Sequence, residues 1–309
     1  MLCAYSEAHS IKIVTTSKTN SRVEYAAEYI KNKLSALGYT FSNHGNDYKI
    51  YLRLATDTTG LKKEGFRITS AKKRIFIDGY DGSGVIYGCN ELAEYAALHH
   101  NLNIGNIQQN PEMVLRGSCV GLQKTVYLPG HQVYEYPYTP ENFPWFYDKK
   151  QWIEYLDMLV DNKMNSLYLW NGHPFASLVK LKDYPFALEV DEETFKKNEE
   201  IYSFLTHEAD KRGIFVIQMF YNIILSKPFA DHYGLKTQDR HRPITPLISD
   251  YTRKSIAAFI QKYPNVGLLV CLGEAMDTYD DDVQWMTKTI IPGVKDGLKA
   301  LGRNDEPPI

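Results

Sequence analysis

The sequence predicts an α/β chain: a small α/β domain over residues 1–110, followed by the first half of a (β/α)8 TIM-type barrel over residues 111–309. Two observations lead to this prediction. Short apolar runs of strand length alternate with helical patterns. In the second part, each long polar loop follows a strand, as in barrels. Four β/α units leave an open edge, so we expect the missing C-terminal half of the barrel, or a partner chain, to cover it.

The first domain is predicted to follow the order β-α-β-β-β-α. Ile11–Thr15 has the composition of a strand, and a helix follows with Ser21 as its N-cap and Gly38 at its end. Alternating apolar residues then predict three strands, of which the last two form a hairpin, before a second helix begins. The three strands are predicted at residues 48–54, 65–70 and 74–78, with the hairpin turn at 71–73. The second helix is predicted to begin at residues 81–84.

The second part repeats a strand-helix rhythm. Strands are predicted at residues 113–120, 165–170, 214–219 and 266–274, with helices from residue 149, at 193–211 and at 251–262. Such crossovers build either an open doubly wound sheet or a closed barrel. No Gly-x-Gly-x-x-Gly follows the first of these strands, and this absence favours a barrel over a dinucleotide-binding enzyme.

Composition excludes several classes of function. The net charge of -2 gives no reason to expect a nucleic-acid partner, and no segment is apolar for the roughly 18 residues that a membrane span needs. The histidines and the four cysteines lack metal-binding spacing, so we expect no metal and no cofactor. Cys119 and Cys271 lie in apolar runs and are predicted to be buried small hydrophobic residues. The 40 Tyr, Phe and Trp residues form either an aromatic core and surface or platforms for sugar rings.

The segment from Met1 to Ala8 ends like a signal peptide but is too short to be a whole one. It is either the remnant of a signal, which predicts a periplasmic or secreted protein, or a frayed terminus.

Several motifs, in order, resemble those of family 20 β-N-acetylhexosaminidases. Lys163-Met-Asn-Ser-Leu-Tyr-Leu-Trp170 resembles their second barrel strand, and Ala209-Asp-Lys-Arg-Gly-Ile-Phe-Val-Ile217 the approach to the third. Leu115-Arg-Gly117 resembles the Arg-Gly of the first strand. The segment from Tyr263 to Glu274 resembles the fourth strand, which ends in the general acid. Gly82-Ser-Gly-Val-Ile-Tyr-Gly88 with Glu91-Leu-Ala93 resembles the leading domain of both these enzymes and α-glucuronidases.

The departures from family 20 concern the residues that define its activity. Its steering aspartate precedes the acid, where this chain has Gly273, and a first-strand aspartate corresponds to Gly121. The resemblance therefore implies a glycoside hydrolase of another specificity, α-glucuronidase-like or a related glycan-degrading enzyme, rather than a β-N-acetylhexosaminidase. The alternative is a non-catalytic glycan-binding protein or an inactive fragment of a longer glycosidase.

Glu274 is the predicted catalytic residue. An apolar strand that ends in one carboxylate is how a (β/α) barrel presents a catalytic group, and partial burial would raise its pKa toward that of a general acid. Its carboxylate partner is expected from a later strand, beyond Ile309.

Polar and aromatic residues near the strands are predicted to bind the carbohydrate substrate. Arg116 interrupts an apolar run and forms either a substrate clamp or a structural ion pair. The other candidates follow the second strand or end the third: Trp170, Asn171, His173, Gln218, Tyr221 and Asn222. The structural alternative for this set is a core position for Trp170 and a loop position for His173. Asp277 and the acidic run at 280–282 are interpreted as solvated surface.

Overall fold

The computed structural model describes residues 10–16, 20–42, 47–124, 126, 129, 137–221, 224–272 and 276–304. It confirms the predicted α/β class. Two compact units make up the chain. The N-terminal unit comprises residues 1–117, 154–165 and 208–214, and the second unit comprises residues 118–153, 166–207 and 215–309. The predicted domain boundary at residue 110 stays a prediction.

The N-terminal unit has one mixed sheet and two main helices. Its strands are β1 (Ser10–Thr15), β2 (Thr40–Phe41), β3 (Tyr48–Leu54), β4 (Phe66–Ala71), β5 (Arg74–Gly79) and β6 (Ile107–Gln109), and its helices are α1 (Ser21–Ala36) and α2 (Gly82–His99). The strand order is β2-β1-β3-β5-β4-β6. β4 is antiparallel to β5 and β6, whereas β1, β3 and β5 are parallel.

Alternation along the strands builds the core of this unit. Ile50 and Leu52 of β3 and Ile75 and Ile77 of β5 are fully buried, whereas the residues between them are partly exposed. α2 approaches the sheet closely at Gly88, where an added Cβ would lie 2.4 Å from Cγ2 of Ile77. The buried strand face is therefore the one that α2 covers.

The structure moves the predicted helix cap by one residue. Asn20, rather than Ser21, is the N-cap of α1, because its side-chain oxygen accepts hydrogen bonds from the backbone N–H groups of Arg22 and Val23 at 3.1 and 3.3 Å. Gly38 follows the helix with φ +90°, the left-handed region that glycine adopts readily.

Hydrogen bonds explain why two later segments belong to the N-terminal unit. The hydroxyl of Tyr25 donates to Asp157 at 2.9 Å, and that of Tyr29 donates to Asp161 at 2.8 Å. Arg22 forms an ion pair with Asp210 at 2.7 Å. These partners lie at 154–165 and 208–214, within the same unit.

The second unit is built around a four-stranded sheet. Its strands are β7 (Gly117–Gly121), β8 (Ser166–Trp170), β9 (Phe215–Tyr221) and β10 (Val266–Cys271), in the order β10-β9-β8-β7. β8, β9 and β10 are parallel. The helices between and after them are α3 (Lys149–Asp161), α4 (Phe175–Leu178), α5 (Glu192–Lys211), α6 (Lys227–Tyr233), α7 (Pro246–Lys262), α8 (Tyr279–Trp285) and α9 (Ile291–Ala300).

This strand-helix order agrees with the predicted β/α units, and closure into a barrel stays a prediction. Short helices at Pro144–Tyr147 and Pro185–Ala187 and a π-helical turn at Met286–Ile290 complete the elements.

The two faces of this sheet differ in burial. Leu169, Gln218 and Phe220 are buried on one face, whereas Leu269 on the opposite face is 37% exposed. The prediction that Cys119 and Cys271 are buried is wrong, since Cys119 is exposed and Cys271 is partly exposed. An apolar run predicts a strand but does not say that both of its faces are covered.

Candidate functional site

The candidate site lies where the strands of the second unit end. The backbone N–H of Leu122, just past β7, donates to the carbonyl of Trp170, the last residue of β8, at 2.7 Å. Tyr221 at the end of β9 is in register with Cys271 at the end of β10. The last residues of four neighbouring strands therefore meet at one edge of the sheet, the edge at which α/β folds place their ligand sites.

Two aromatic side chains occupy the centre of this edge. The rings of Trp170 and Tyr221 are 4.9 Å apart at an angle of 78°, and both residues are partly exposed. The indole N–H of Trp170 donates to the side-chain oxygen of Gln123, which fixes the ring orientation. A pair of aromatic faces at right angles, with one face held by a hydrogen bond, suits the apolar face of a sugar ring.

Asn171 holds the loop that follows β8. Its side-chain N–H donates to the carbonyl of Leu122 at 2.8 Å, and its side-chain oxygen accepts from the backbone N–H of His173 at 3.0 Å. Asn171 is only 2% exposed. The structure thus gives Asn171 a positioning role, and its predicted contact with substrate hydroxyls stays a prediction.

His173 is also buried, at 8% exposure. Its Nε2 shares a hydrogen bond of 2.8 Å with the hydroxyl of Tyr251 on α7. Burial lowers the pKa of His173 from 6.5 to about 3, so this ring stays neutral at physiological pH. His173 therefore ties the loop to α7, and direct contact with a substrate stays a prediction for it as well.

Gln218 lies on the buried face of β9 rather than among the exposed residues of the sheet edge. The hydroxyl of Tyr202 donates to its side-chain oxygen at 2.9 Å, and its N–H donates to the carbonyl of Leu169 at 2.9 Å. It is fully buried. Its partners explain Gln218 as a satisfied core residue, while Asn222, the candidate just past β9, lies outside the described residues.

Arg116 precedes β7 in the N-terminal unit, so it lies at the amino end of that strand. Its Nη2 forms an ion pair with Glu64 at 2.8 Å, and its Nε donates to the carbonyl of Lys163 at 2.9 Å. Nη1 donates to the carbonyl of Met113 at 2.7 Å. Because every guanidinium nitrogen has a protein acceptor, the geometry supports the structural ion pair and not the substrate clamp.

Glu274 and Gly273 lie outside the described residues, so the role of Glu274 as general acid stays a prediction. Asp277, three residues after Glu274, shares a hydrogen bond of 2.6 Å with His241, and both side chains are exposed. The acidic run at 280–282 forms the first turn of α8, where carboxylates stabilise a helix N-terminus. Among the described residues, no group of three His, Cys, Asp or Glu side chains is placed to bind a metal ion.

Two residues of this unit were not predicted as functional. Gln123 orients Trp170, and its only sequence signal is a polar residue just past a strand. Glu189, in the loop after β8, accepts a hydrogen bond from the backbone N–H of Lys227 at 2.5 Å. Burial raises the pKa of Glu189 to about 7, so this carboxyl changes charge near neutrality. Its apolar neighbours, Leu188 and Val190, are a weak signal of that burial.

Comparisons with known proteins point to glycoside hydrolases. The sequence model of glycosyl hydrolase family 20, domain 2, matches residues 4–108. The structure is similar, with 65% sequence identity and a TM-score of 0.92, to a GH138 enzyme targeting pectin rhamnogalacturonan II, over 97% of this chain and 44% of that one. A search of curated proteins found no match.

More distant structures share the fold alone. The GH20 β-N-acetylhexosaminidase from Streptomyces coelicolor A3(2) has 16% identity and a TM-score of 0.61 over 94% of this chain and 61% of its own. A mutant β-hexosaminidase from Streptomyces plicatus has 15% identity and a TM-score of 0.59 over 94% of this chain and 60% of its own. The chain thus spans less than two thirds of each of these proteins. In fold and in sequence it is glycoside hydrolase-like, and its first 108 residues include a segment similar to domain 2 of family 20.

Proposed function

We propose that this chain belongs to a glycoside hydrolase that acts on pectin rhamnogalacturonan II, with Glu274 as the general acid. The observation that carries the proposal is the 65% identity over 97% of the chain to a GH138 enzyme with that target. The aromatic pair at the sheet edge provides a platform for a sugar ring.

The proposed chemistry is protonation of the glycosidic oxygen by Glu274 as the bond to the sugar breaks. In the same displacement, a second carboxylate attacks the anomeric carbon as nucleophile or, as base, activates the water that attacks it. The proposed substrate residue is a uronic acid, as for α-glucuronidases, because a galacturonan is a polymer of galacturonic acid. In this proposal β7–β10 are the first half of a (β/α)8 barrel, and further β/α units or a partner chain cover the exposed face that includes Leu269.

Hydrolysis of rhamnogalacturonan II by the protein that carries this chain tests the proposal. We expect Glu274→Gln to lower turnover by about 10²- to 10⁴-fold, the usual contribution of a general acid. Asp277→Asn is the matched control, because it removes an exposed carboxylate three residues away and should leave turnover near the wild-type value. Near-normal turnover of the Glu274→Gln protein would remove Glu274 from the acid role.

Product analysis separates the finer alternatives. Release of a uronic acid supports the uronidase specificity. Release of a neutral sugar contradicts that specificity but still supports glycoside hydrolase activity. Binding of the polysaccharide without any hydrolysis by the wild-type protein would instead support a non-catalytic glycan-binding protein.

A further inference from the structure

The sheet of the N-terminal unit has a second face, opposite the one that α2 covers. We call it the outer face and define it by alternate residues of β1, β3, β5 and β4. All are at least partly exposed, whereas their neighbours along the strands, such as Ile50 and Ile75, are buried. The strand register arranges these residues in three rows across the sheet: Lys12, Lys49 and Arg74; Val14, Tyr51, Phe76 and Thr69; and Arg53, Asp78 and Arg67.

The first row brings three cations together. Lys12 is in register with Lys49, and Lys49 is in register with Arg74. Like charges directly opposite one another on neighbouring strands destabilise a sheet. Among the described residues none of the three forms an ion pair with a carboxylate, and Asp47 pairs instead with Lys73 at 3.3 Å. An anion placed over this row would relieve the repulsion.

The middle row is aromatic. The rings of Tyr51 and Phe76 stack at 4.7 Å with an angle of 19° between their planes. The guanidinium carbon of Arg53 lies 4.5 Å from the centre of the Phe76 ring. These contacts hold the aromatic groups in place, so that an apolar strip lies between the cationic first row and the third row, which carries Arg53 and Arg67.

The third row borders a shallow depression of about 330 Å³ lined by Arg53, Arg67, Asp57 and Asp78. Arg53 donates through Nε and Nη2 to Asp78 at 2.7 and 2.8 Å, and Arg67 donates through Nε and Nη2 to Gln108 and the carbonyl of Thr59. Each guanidinium is thus held in a fixed orientation, and its Nη1 donors have no acceptor among the described residues. The volume is at the lower end of the range, about 300–1,000 Å³, of small-ligand sites, which suits one sugar unit.

We propose that the outer face binds an acidic oligosaccharide, a chain of uronic acid units, at a site separate from the candidate catalytic site. Its carboxylates pair with the first cationic row and with the free donors of Arg53 and Arg67, and its sugar rings cross the strip of Tyr51 and Phe76. Rows separated by two residues along a strand lie about 6.6 Å apart, so the first and third rows are about 13 Å apart, a span that requires several sugar units. The choice of an acidic glycan rests on the proposed function, because a galacturonan carries the charge that complements this face.

Titration of the whole protein with an oligogalacturonide by calorimetry tests the inference. The methyl-esterified oligomer is the neutral control probe. We expect the acidic oligomer to bind, with affinity that falls as salt rises, and the neutral one to bind far more weakly. Lys49→Gln with Arg74→Gln should weaken binding by about three- to thirtyfold at low salt, given the strength of two surface charge pairs.

A second pair of substitutions controls for charge alone. Lys31→Gln with Lys196→Gln removes two exposed cations elsewhere and changes the net charge equally. Equal weakening in both double variants would overturn the inference, because binding would then follow net charge rather than this face. Absence of binding to the wild-type protein would overturn it too.

Trp170→Ala separates this inference from the proposed function. Binding that survives Trp170→Ala and weakens with Lys49→Gln and Arg74→Gln supports a separate site. Binding lost only in Trp170→Ala would overturn the outer-face site and leave the catalytic proposal standing. Failure of the catalytic proposal is measured independently, as absent hydrolysis of rhamnogalacturonan II.

Discussion

Replacement of His173 by glutamine should make the second unit less sensitive to acid. The imidazole is buried against Tyr251, and its pKa falls from 6.5 to about 3 in the folded protein. Below pH 6.5 the unfolded chain therefore binds a proton at His173 that the folded chain does not bind. Stability that is present above pH 6.5 is lost progressively as the pH falls toward 3.

The size of the effect follows from the two pKa values. At pH 4.5 the unfolded-state histidine is two units below its pKa and almost fully charged, while the folded-state histidine remains neutral. At 1.36 kcal/mol per unit, this difference costs the wild-type protein about 2–3 kcal/mol of unfolding free energy between pH 7.5 and 4.5. A folded-state pKa one unit higher would scarcely change this figure, because pH 4.5 would still lie above it.

Urea unfolding at a series of pH values, followed by tryptophan fluorescence, measures this difference. Glutamine is chosen because its side-chain amide keeps a hydrogen-bonding partner for Tyr251 and carries no titrating proton. The difference in unfolding free energy between the two proteins should change by about 2–3 kcal/mol in favour of His173→Gln on acidification. His207→Gln, at an exposed position of α5, controls for loss of a histidine as such. If the unfolding free energies of wild type and His173→Gln change equally with pH, the assignment of a buried neutral imidazole is refuted.

Two further predictions concern the same unit. Trp170→Ala should lower kcat/KM for rhamnogalacturonan II fragments by about tenfold or more. Trp170→Phe keeps an aromatic ring but loses the hydrogen bond to Gln123, so it should lower kcat/KM less. Equal kcat/KM values for Trp170→Ala and wild type would exclude a platform role. Glu189→Gln should have the opposite pH dependence to His173→Gln. Burial raises this carboxyl pKa from 4.5 to about 7, so its stabilising contribution is present below pH 4.5 and is lost as the pH rises through 7. The full shift corresponds to about 3 kcal/mol, which the partial exposure of Glu189 reduces to about 1–2 kcal/mol. Thermal unfolding should therefore show that Glu189→Gln gains stability relative to wild type at pH 8 compared with pH 5. The absence of this gain would show that the pKa of the Glu189 carboxyl is not raised.

The element order of the N-terminal unit could be predicted because its strands alternate clearly. The hairpin between β4 and β5 lies at the predicted turn, where Lys72 adopts φ +55°. The short strands β2 (Thr40–Phe41) and β6 (Ile107–Gln109) were missed, because two or three residues are too few to show a period of two. The error at Cys119 has a different cause: periodicity identifies a strand, but burial depends on which layers of the fold pack against it.

The candidate site shows a further reason why sequence alone is insufficient. Asn171 and His173 were predicted as substrate ligands because polar residues follow β8, yet the loop needs these groups to satisfy its own backbone and to hold it to α7. A sequence cannot distinguish a polar side chain that faces a ligand from one that pairs with a neighbouring carbonyl, since both require the same residue types at the same positions. Exposure separates them, and it leaves Trp170 and Tyr221 as the accessible aromatic surface at this edge. Because Asn171 holds the loop, substitutions at Asn171 should primarily reduce stability; because Trp170 belongs to the proposed sugar platform, substitutions at Trp170 should primarily reduce affinity for the polysaccharide.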